Sequence, residues 1–504
     1  MSGFHTDLAE PSAFRVRRST SLMIRRWPEL LTLIVYAGLV AFTIPHHEPW
    51  SDEAQAWQLA RSVPLAEIFH TYVRYEGHPG LWHLLLSTFI HLGGSYTGVH
   101  WLCGAIALIS ASLLVFFAPF PRYIRLALPF TFFLAYQYAV VARSYVLAPL
   151  LLFLIAMAWR RGPVLVAVLL GLLANVALHA FAISSGLAML YLLEQRRNGT
   201  LQPRKMLLIA GILLPVFYGF AIWTIWPPPD LYLYRPEMND PLALRLAVQF
   251  TRGLLAMAMG VLDPVWLAIP LWILLWRYLH RRKLALYLLP VATLVLFSTQ
   301  YLYLWHAGLI VPTLITVCWI AHRTECIDIT APRWEERTTA GLLAYAIVCQ
   351  IAWTAHAVAF DYSHAYSPDL ATAHYLVPRI AAGEKIAVTS LRPTMPQTYA
   401  VGLEPYFPQG LFMNRSHPFW FFSTKDTTET AFLDALRQHP PLILAEFIQY
   451  QIPPRFDSSR DLYGPGVELL RNHGYALTHV FCGEQPFHLR TQLQICHLIF
   501  EPKQ

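Results

Sequence analysis

A series of long apolar runs, recurring from residue 29 to residue 360, limits what this chain can fold into more than any other feature. Runs such as LTLIVYAGLVAFTI (31–44) and YVLAPLLLFLIAMAW (145–159) carry no charge. A stretch of about 20 such residues is long enough to cross a bilayer as a helix, the one open-ended element that satisfies its own backbone groups in lipid. With 56% hydrophobic and 13% charged residues, the chain is read as a polytopic α-helical membrane protein. Beyond residue 360 the pattern changes to spaced charges, many prolines and short apolar runs, which indicates a separate soluble domain over 361–504.

The net charge of +7 raises nucleic-acid binding, and its distribution argues against it. Residues 1–360 hold 26 Lys and Arg against 17 Asp and Glu, and residues 361–504 hold 11 against 13. Basic excess in the short loops of a membrane domain orients helices, so the charge is topogenic and no nucleic-acid partner is expected. Arg15, Arg17, Arg18, Arg25 and Arg26 precede the first apolar run, and no small-residue cleavage site follows it. The arm 1–28 is therefore expected in the cytoplasm, with the first span retained.

Positive-inside parity decides the ambiguous stretch 79–94, PGLWHLLLSTFIHLGG. If it stays on the outer surface, crossings fall near 29–45, 99–118, 124–142, 145–159, 163–179, 181–195, 206–226, 264–280, 284–299, 301–321 and 339–359. Twenty of the 26 basic residues then lie inside and six outside, namely Arg61, Arg74, Arg143, Arg235, Arg245 and Arg252. Treating 79–94 as a span reverses the next basic loops. The expected fold has about eleven transmembrane helices, the N-terminus inside and the C-terminal domain outside. Outer segments 46–98 and 227–263 cap it. The stretch 240–260, with Arg245 and Arg252, fits a helix lying on the interface.

In the C-terminal domain, EKIAVTS (384–390), YALTHVF (475–481) and CHLIFEP (496–502) are strand-like, and TETAFLDALRQH (428–439) is helical. A small α/β or α+β domain follows. Of six cysteines only Cys482 and Cys496 fall outside, where an oxidising compartment allows a disulfide; two buried thiols are the alternative.

The outer loop after the first span is unusually rich in groups that move protons. Asp52 and Glu53 follow Ser51, which as a helix cap would give the acids a purely dipole-related role. Placed just beyond a membrane helix, a partly desolvated carboxylate can also accept a proton from a hydroxyl. Glu76-Gly77-His78-Pro79 and Arg74 follow in the same loop. Arg143 and Tyr145, in VVARSYVLAP, map to an outer helix end, where an arginine calls for a phosphate or a carboxylate. His179 (NVALHAF) and His306 (LYLWHAG) map to the same face; each alone is read as a packing residue. Tyr234 and Arg235 in the second outer segment are placed to close over it. No Walker loop, dinucleotide fingerprint or HExxH zinc motif is present, and no motif dictates a cofactor. A divalent metal is compatible with the acids and histidines.

Three short motifs, SDEAQAW (51–57), EGHPGLWHLLL (76–86) and the ARSY stretch at 142–145, together resemble the GT-C glycosyltransferases. Within them the chain is most similar to bacterial relatives of protein O-mannosyltransferases and of the lipid A aminoarabinose transferase. The resemblance covers roughly 29–360. It implies a bacterial inner-membrane enzyme that moves a sugar from a polyprenyl-phosphate donor to an acceptor protein, lipid or glycan hydroxyl on the outer face, among membrane lipids. Asp52 would be the general base, Glu53 a supporting catalytic residue and Arg143 the phosphate contact. The chain departs from the pattern at Gly80, where a second proline is expected, and at 99–104, which lacks an arginine; His100 or Arg74 would substitute. The rival from another class is a membrane transporter or lipid flippase. No internal repeat supports one, and the ionisable groups cluster at one interface rather than at mid-bilayer.

Overall fold

The computed structural model describes residues 26–198, 204–231, 241–323, 332–391, 400–450, 462 and 464–503. The chain is mostly helical. Among the described residues, six helices are long and apolar enough to cross a membrane: Trp27–His46, Gly98–Phe117, Lys205–Ile225, Leu242–Met259, Trp305–His322 and Arg333–Ser363. Shorter apolar helices run over Leu81–His91, Ser144–Ala158, Pro163–Ala174 and Ala285–Ser298.

Helix α1 (Trp27–Thr43) is followed by a polar loop and α2 (Ser51–Ser62). Short helical turns over Leu65–Glu67, Ile68–Tyr72 and Val73–Glu76 lead to α3 (Leu81–His91). At 11 residues α3 is about 16 Å long, half a bilayer, as short as the helices within the expected crossings 145–159, 163–179 and 284–299. Helix α4 (Gly98–Phe117) follows.

The stretch 124–142, expected as one membrane helix, is not one. It breaks into Arg122–Ala127, the turn Leu128–Phe130 around Pro129, the wide turn Phe133–Gln137 and an irregular run to Arg143. Residues 132–142 are nevertheless almost wholly buried apart from Gln137. Irregular backbone at membrane depth is tolerated where protein covers it, and the covering helices make that arrangement stable.

Helices α5 (Leu147–Ala158), α6 (Pro163–Ala174), α7 (Leu178–Asn198), α8 (Arg204–Ile225), α9 (Leu242–Met259), α10 (Ala268–Arg281), α11 (Leu289–Ser298), α12 (Ile310–His322) and α13 (Arg333–Ser363) complete the helical part. Their ends meet in two groups. At one end Arg122 pairs with Glu29 at 2.7 Å, Arg281 with Glu335 at 3.1 Å, and Arg197 donates to the Lys283 carbonyl at 3.2 Å. At the other, His47 meets Asp361, Asp52 meets Arg143, and Arg252 donates to the Gln300 carbonyl. Segment 240–260, expected on the interface, forms the single helix α9, whose length and composition also suffice to cross.

The C-terminal domain begins with α14 (Asp369–Ala381), then β1 (Ile386–Ser390), α15 (Thr428–Arg437), β2 (Leu442–Tyr450), α16 (Pro465–Asn472), β3 (Tyr475–Phe487) and β4 (Arg490–Pro502). The sheet order is β1-β2-β4-β3, with β1 parallel to β2 and the other pairs antiparallel. Cys482 and Cys496 face each other in register and form a disulfide. The β3–β4 hairpin runs longer than the sequence pattern suggests, and its tip is driven into the helices. There His488 stacks on Trp353 at 3.5 Å and lies 2.8 Å from Asp263. Asn414, part of an Asn-Arg-Ser triplet, is buried, and its amide clamps Val388 and Thr428, so it serves the fold rather than as a sugar acceptor.

Candidate active site

Local chemistry fixes the start of α2. Ser51 is the first helical residue rather than the cap. Trp50 occupies the cap position, and the Glu53 side chain reaches back to accept its backbone N–H at 3.0 Å. This leaves the two neighbouring acids pointing apart, because successive helical residues are about 100° from one another.

Asp52 is the reachable one, with 15% of its side chain exposed, and it is ion-paired with Arg143, 14% exposed. Arg143 has extended backbone just before the turn Ser144–Val146. Its guanidinium lies 5.4 Å from the Tyr145 ring centroid and 5.3 Å from that of Trp305, so aromatic faces hold it as well as the carboxylate. Burial pushes the Asp52 carboxyl up; Arg143 opposes this, Glu53 and Glu76 add to it, and the net direction is up. A carboxylate destabilised in this way is a stronger base than one in water.

Glu53 lies inside instead. Its oxygens accept from the Ala142 N–H at 2.5 Å and sit 3.0 Å from His100 Nε2 and 3.5 Å from His47 Nε2. Burial alone would raise its carboxyl, but His100 and His47 outweigh it and hold the group well below the usual range. Glu53, expected as a supporting catalytic residue, is thus buried behind the turn that carries Asp52, with its oxygens taken up by protein partners. His100 is likewise committed to Glu53. Arg74 donates to the Trp226 carbonyl at 3.0 Å, so of the arginines considered for a phosphate, Arg143 is the one beside Asp52.

Gly77 ends the turn Val73–Glu76 with φ of 67°, a left-handed conformation that glycine adopts without strain, and Pro79 follows. This corner brings Glu76 and His78 under α2. Glu76 accepts from Gln55 Nε2 at 2.5 Å and lies 3.3 Å from His83. His78 is pushed down to about 3 by burial and by Arg143, so its imidazole is neutral at ordinary pH. Tyr145, His179 and His306 form a layer beside Arg143. His306 accepts the Tyr303 N–H at Nδ1 and lies 2.7 Å from the Tyr145 hydroxyl through Nε2. His179 stacks on His306 at 4.0 Å and donates to the Tyr301 carbonyl. Eight of the expected site residues (Asp52, Glu53, Glu76, His78, Arg143, Tyr145, His179 and His306) thus share one region, Arg74 lies to its side, and Tyr234 and Arg235 lie outside the described residues.

Further residues, of which the sequence did not single out His47, Gln55, Phe419, Trp420 and Phe421, complete the region. Gln55 accepts the Trp420 N–H at 2.5 Å and donates to the Trp420 carbonyl at 3.2 Å, joining α2 to the C-terminal domain. Phe419 and Phe421 pack on Tyr72 and Tyr75 at 4.9 and 4.7 Å. His47, His100 and Glu53 bring three metal-ligating atoms within 4.8 Å of one another. Gln55 sits three residues after Asp52 and so on a neighbouring face of α2, but its partner lies in another domain and leaves no local signal.

No protein-family model, curated protein or solved structure matches the chain.

Proposed function

We propose that the chain is a membrane glycosyltransferase of the GT-C kind, with a polyprenyl-phosphate sugar as donor and Asp52 as general base. The observation that carries this reading is the partly exposed Asp52–Arg143 pair at the end of apolar helices, with the carboxyl pushed up and the guanidinium held over two aromatic rings. The donor's isoprenoid tail lies between helices in the bilayer and its phosphate beside Arg143. Asp52 takes the proton of an acceptor hydroxyl as that oxygen bonds to the anomeric carbon. The bond from that carbon to the phosphate oxygen breaks, and polyprenyl phosphate leaves with its new negative charge beside Arg143. One displacement inverts the anomeric configuration. The neutral His78 and the Tyr145–His306 layer line the sugar side.

The topology that goes with this reading has eleven crossings in a bacterial inner membrane, the N-terminus inside and the C-terminal domain outside. Support comes from the two groups of helix ends, which sort as the basic loops do. Asp230 before α9 and Asp263 after it both bond to the C-terminal domain, through Ser423 and His488, as a segment that does not cross would.

The direct test gives purified protein a polyprenyl-phosphate sugar and candidate acceptors, with Asp52→Asn as control. Donor-dependent transfer abolished in the variant supports the reading. Transfer that Asp52→Asn leaves unchanged, or transbilayer movement of donor without transfer, overturns it.

A further inference from the structure

We propose that His47, Glu53 and His100 hold a divalent transition-metal ion, zinc by the chemistry of the set, with Asp361 as the residue that orients His47. The three ligands come from the loop after α1, the first turn of α2 and the first turn of α4, and all three are buried. Glu53 lies 3.0 Å from His100 Nε2 and 3.5 Å from His47 Nε2, separations that a small ion between the groups can bridge.

The hydrogen-bond inventory points to a cation there. His47 Nδ1 lies 2.9 Å from Asp361, whose carboxylate also accepts from the Tyr136 hydroxyl at 2.8 and 2.9 Å. A carboxylate only accepts, so Nδ1 carries a hydrogen, and in the neutral ring the lone pair of Nε2 turns toward Glu53. Nε2 is fully buried and makes no hydrogen bond among the described residues. The Glu53 oxygen it faces is itself an acceptor, already taking the Trp50 N–H. Two acceptors aimed at each other in a dry site repel unless a positive charge lies between them.

The surroundings have the form of a supported metal site. The carboxylate behind His47 sets its tautomer, and the backbone N–H groups of Trp50 and Ala142 orient Glu53. Two imidazoles and one carboxylate form a zinc-type set, with no thiolate to favour copper(I). Such an ion ties the first loop to α4 and, through Asp361, to the end of α13. It thereby fixes the turn on which Asp52 sits. The site stands on its own geometry and does not depend on the glycosyl-transfer reading.

The test uses the full-length protein in detergent, purified through a tag without histidine, chelated, reloaded with Zn2+ alone and gel-filtered. The expected result is about one zinc per chain, with the melting temperature raised by reloading. Co2+ in place of zinc should give visible d–d absorption. His100→Ala and His47→Ala should lose the metal. Because each of these removes a buried side chain and can cost the fold, Asp361→Asn is the second arm: it keeps all three ligands and should weaken zinc about 10- to 100-fold. Reloaded wild type that holds no more zinc than His47→Ala, with a melting temperature indifferent to the ion, overturns the proposal. The positive charge at Glu53 is then a protonated His47.

Discussion

The Asp52 carboxylate is paired with the guanidinium of Arg143, and the same guanidinium rests on the rings of Tyr145 and Trp305. The arginine is thus held in place even when the carboxylate turns to another partner. On the proposed reading, Asp52 is the base that releases its ion pair to take a proton, and Arg143 the cation that remains to meet a phosphate.

Asp52→Asn should lower transfer by about 100- to 10,000-fold, the usual contribution of a positioned general base. Its melting temperature should stay near that of wild type, since Asp52 is partly exposed. A parallel melt and turnover measurement separates lost chemistry from lost fold.

Arg143→Gln should move the acid limb of the pH–rate profile upward. As the proposed base, Asp52 works only when ionised, and Arg143 favours that form. Without it the carboxyl, already raised by burial, rises further. Turnover should then fail at a higher pH than in wild type. A limb that stays in place shows that Asp52 is not the titrating base.

Asp369→Asn tests the seam between the helices and the C-terminal domain. Burial pushes the Asp369 carboxyl up to about 7; Ser367 opposes this, and Glu48 and Glu53 add to it. A raised acid binds a proton in the folded state that it lacks when unfolded. Stability should therefore fall as pH rises from the ordinary carboxylate range through about 7, with a slope of at most about 1.4 kcal/mol per pH unit. In the variant that slope should disappear, as read from melting curves across this window.

Gln55→Leu should loosen the contact between α2 and the C-terminal domain. It removes both hydrogen bonds to Trp420 and the one to Glu76, a loss of about 1–3 kcal/mol for buried groups left unpaired. Hydrogen exchange at residues 417–423 should speed up while the helical core is unchanged. An unchanged exchange rate would show that aromatic packing alone seats the segment.

Reducing Cys482–Cys496 should lower the stability of the C-terminal domain by about 3 kcal/mol or less. The bridge closes a loop of 14 residues, and the strands are already paired in register. The melting shift with a reductant, compared with the Cys482→Ser/Cys496→Ser double variant, measures it.

By itself the sequence determined the helical character of the chain before residue 360, because apolar run length is a local quantity. It also determined β1, α15 and the cores of β3 and β4, where local patterning is strong. The SDEAQAW and EGHPG stretches were legible as a polar, proton-moving loop, because such residues stand out against apolar neighbours. The tertiary structure alone decided which acid faces outward. Asp52 and Glu53 are adjacent in sequence, and only the capping bond to Trp50 and the packing of His47 and His100 set them apart. It likewise decided that 124–142 is broken and covered, since a buried irregular segment and a membrane helix share the same hydropathy. The pairings of His47 with Asp361 and of Gln55 with Trp420 join residues more than 300 positions apart. No periodicity records such contacts, because they depend on how whole helices and a separate domain pack together.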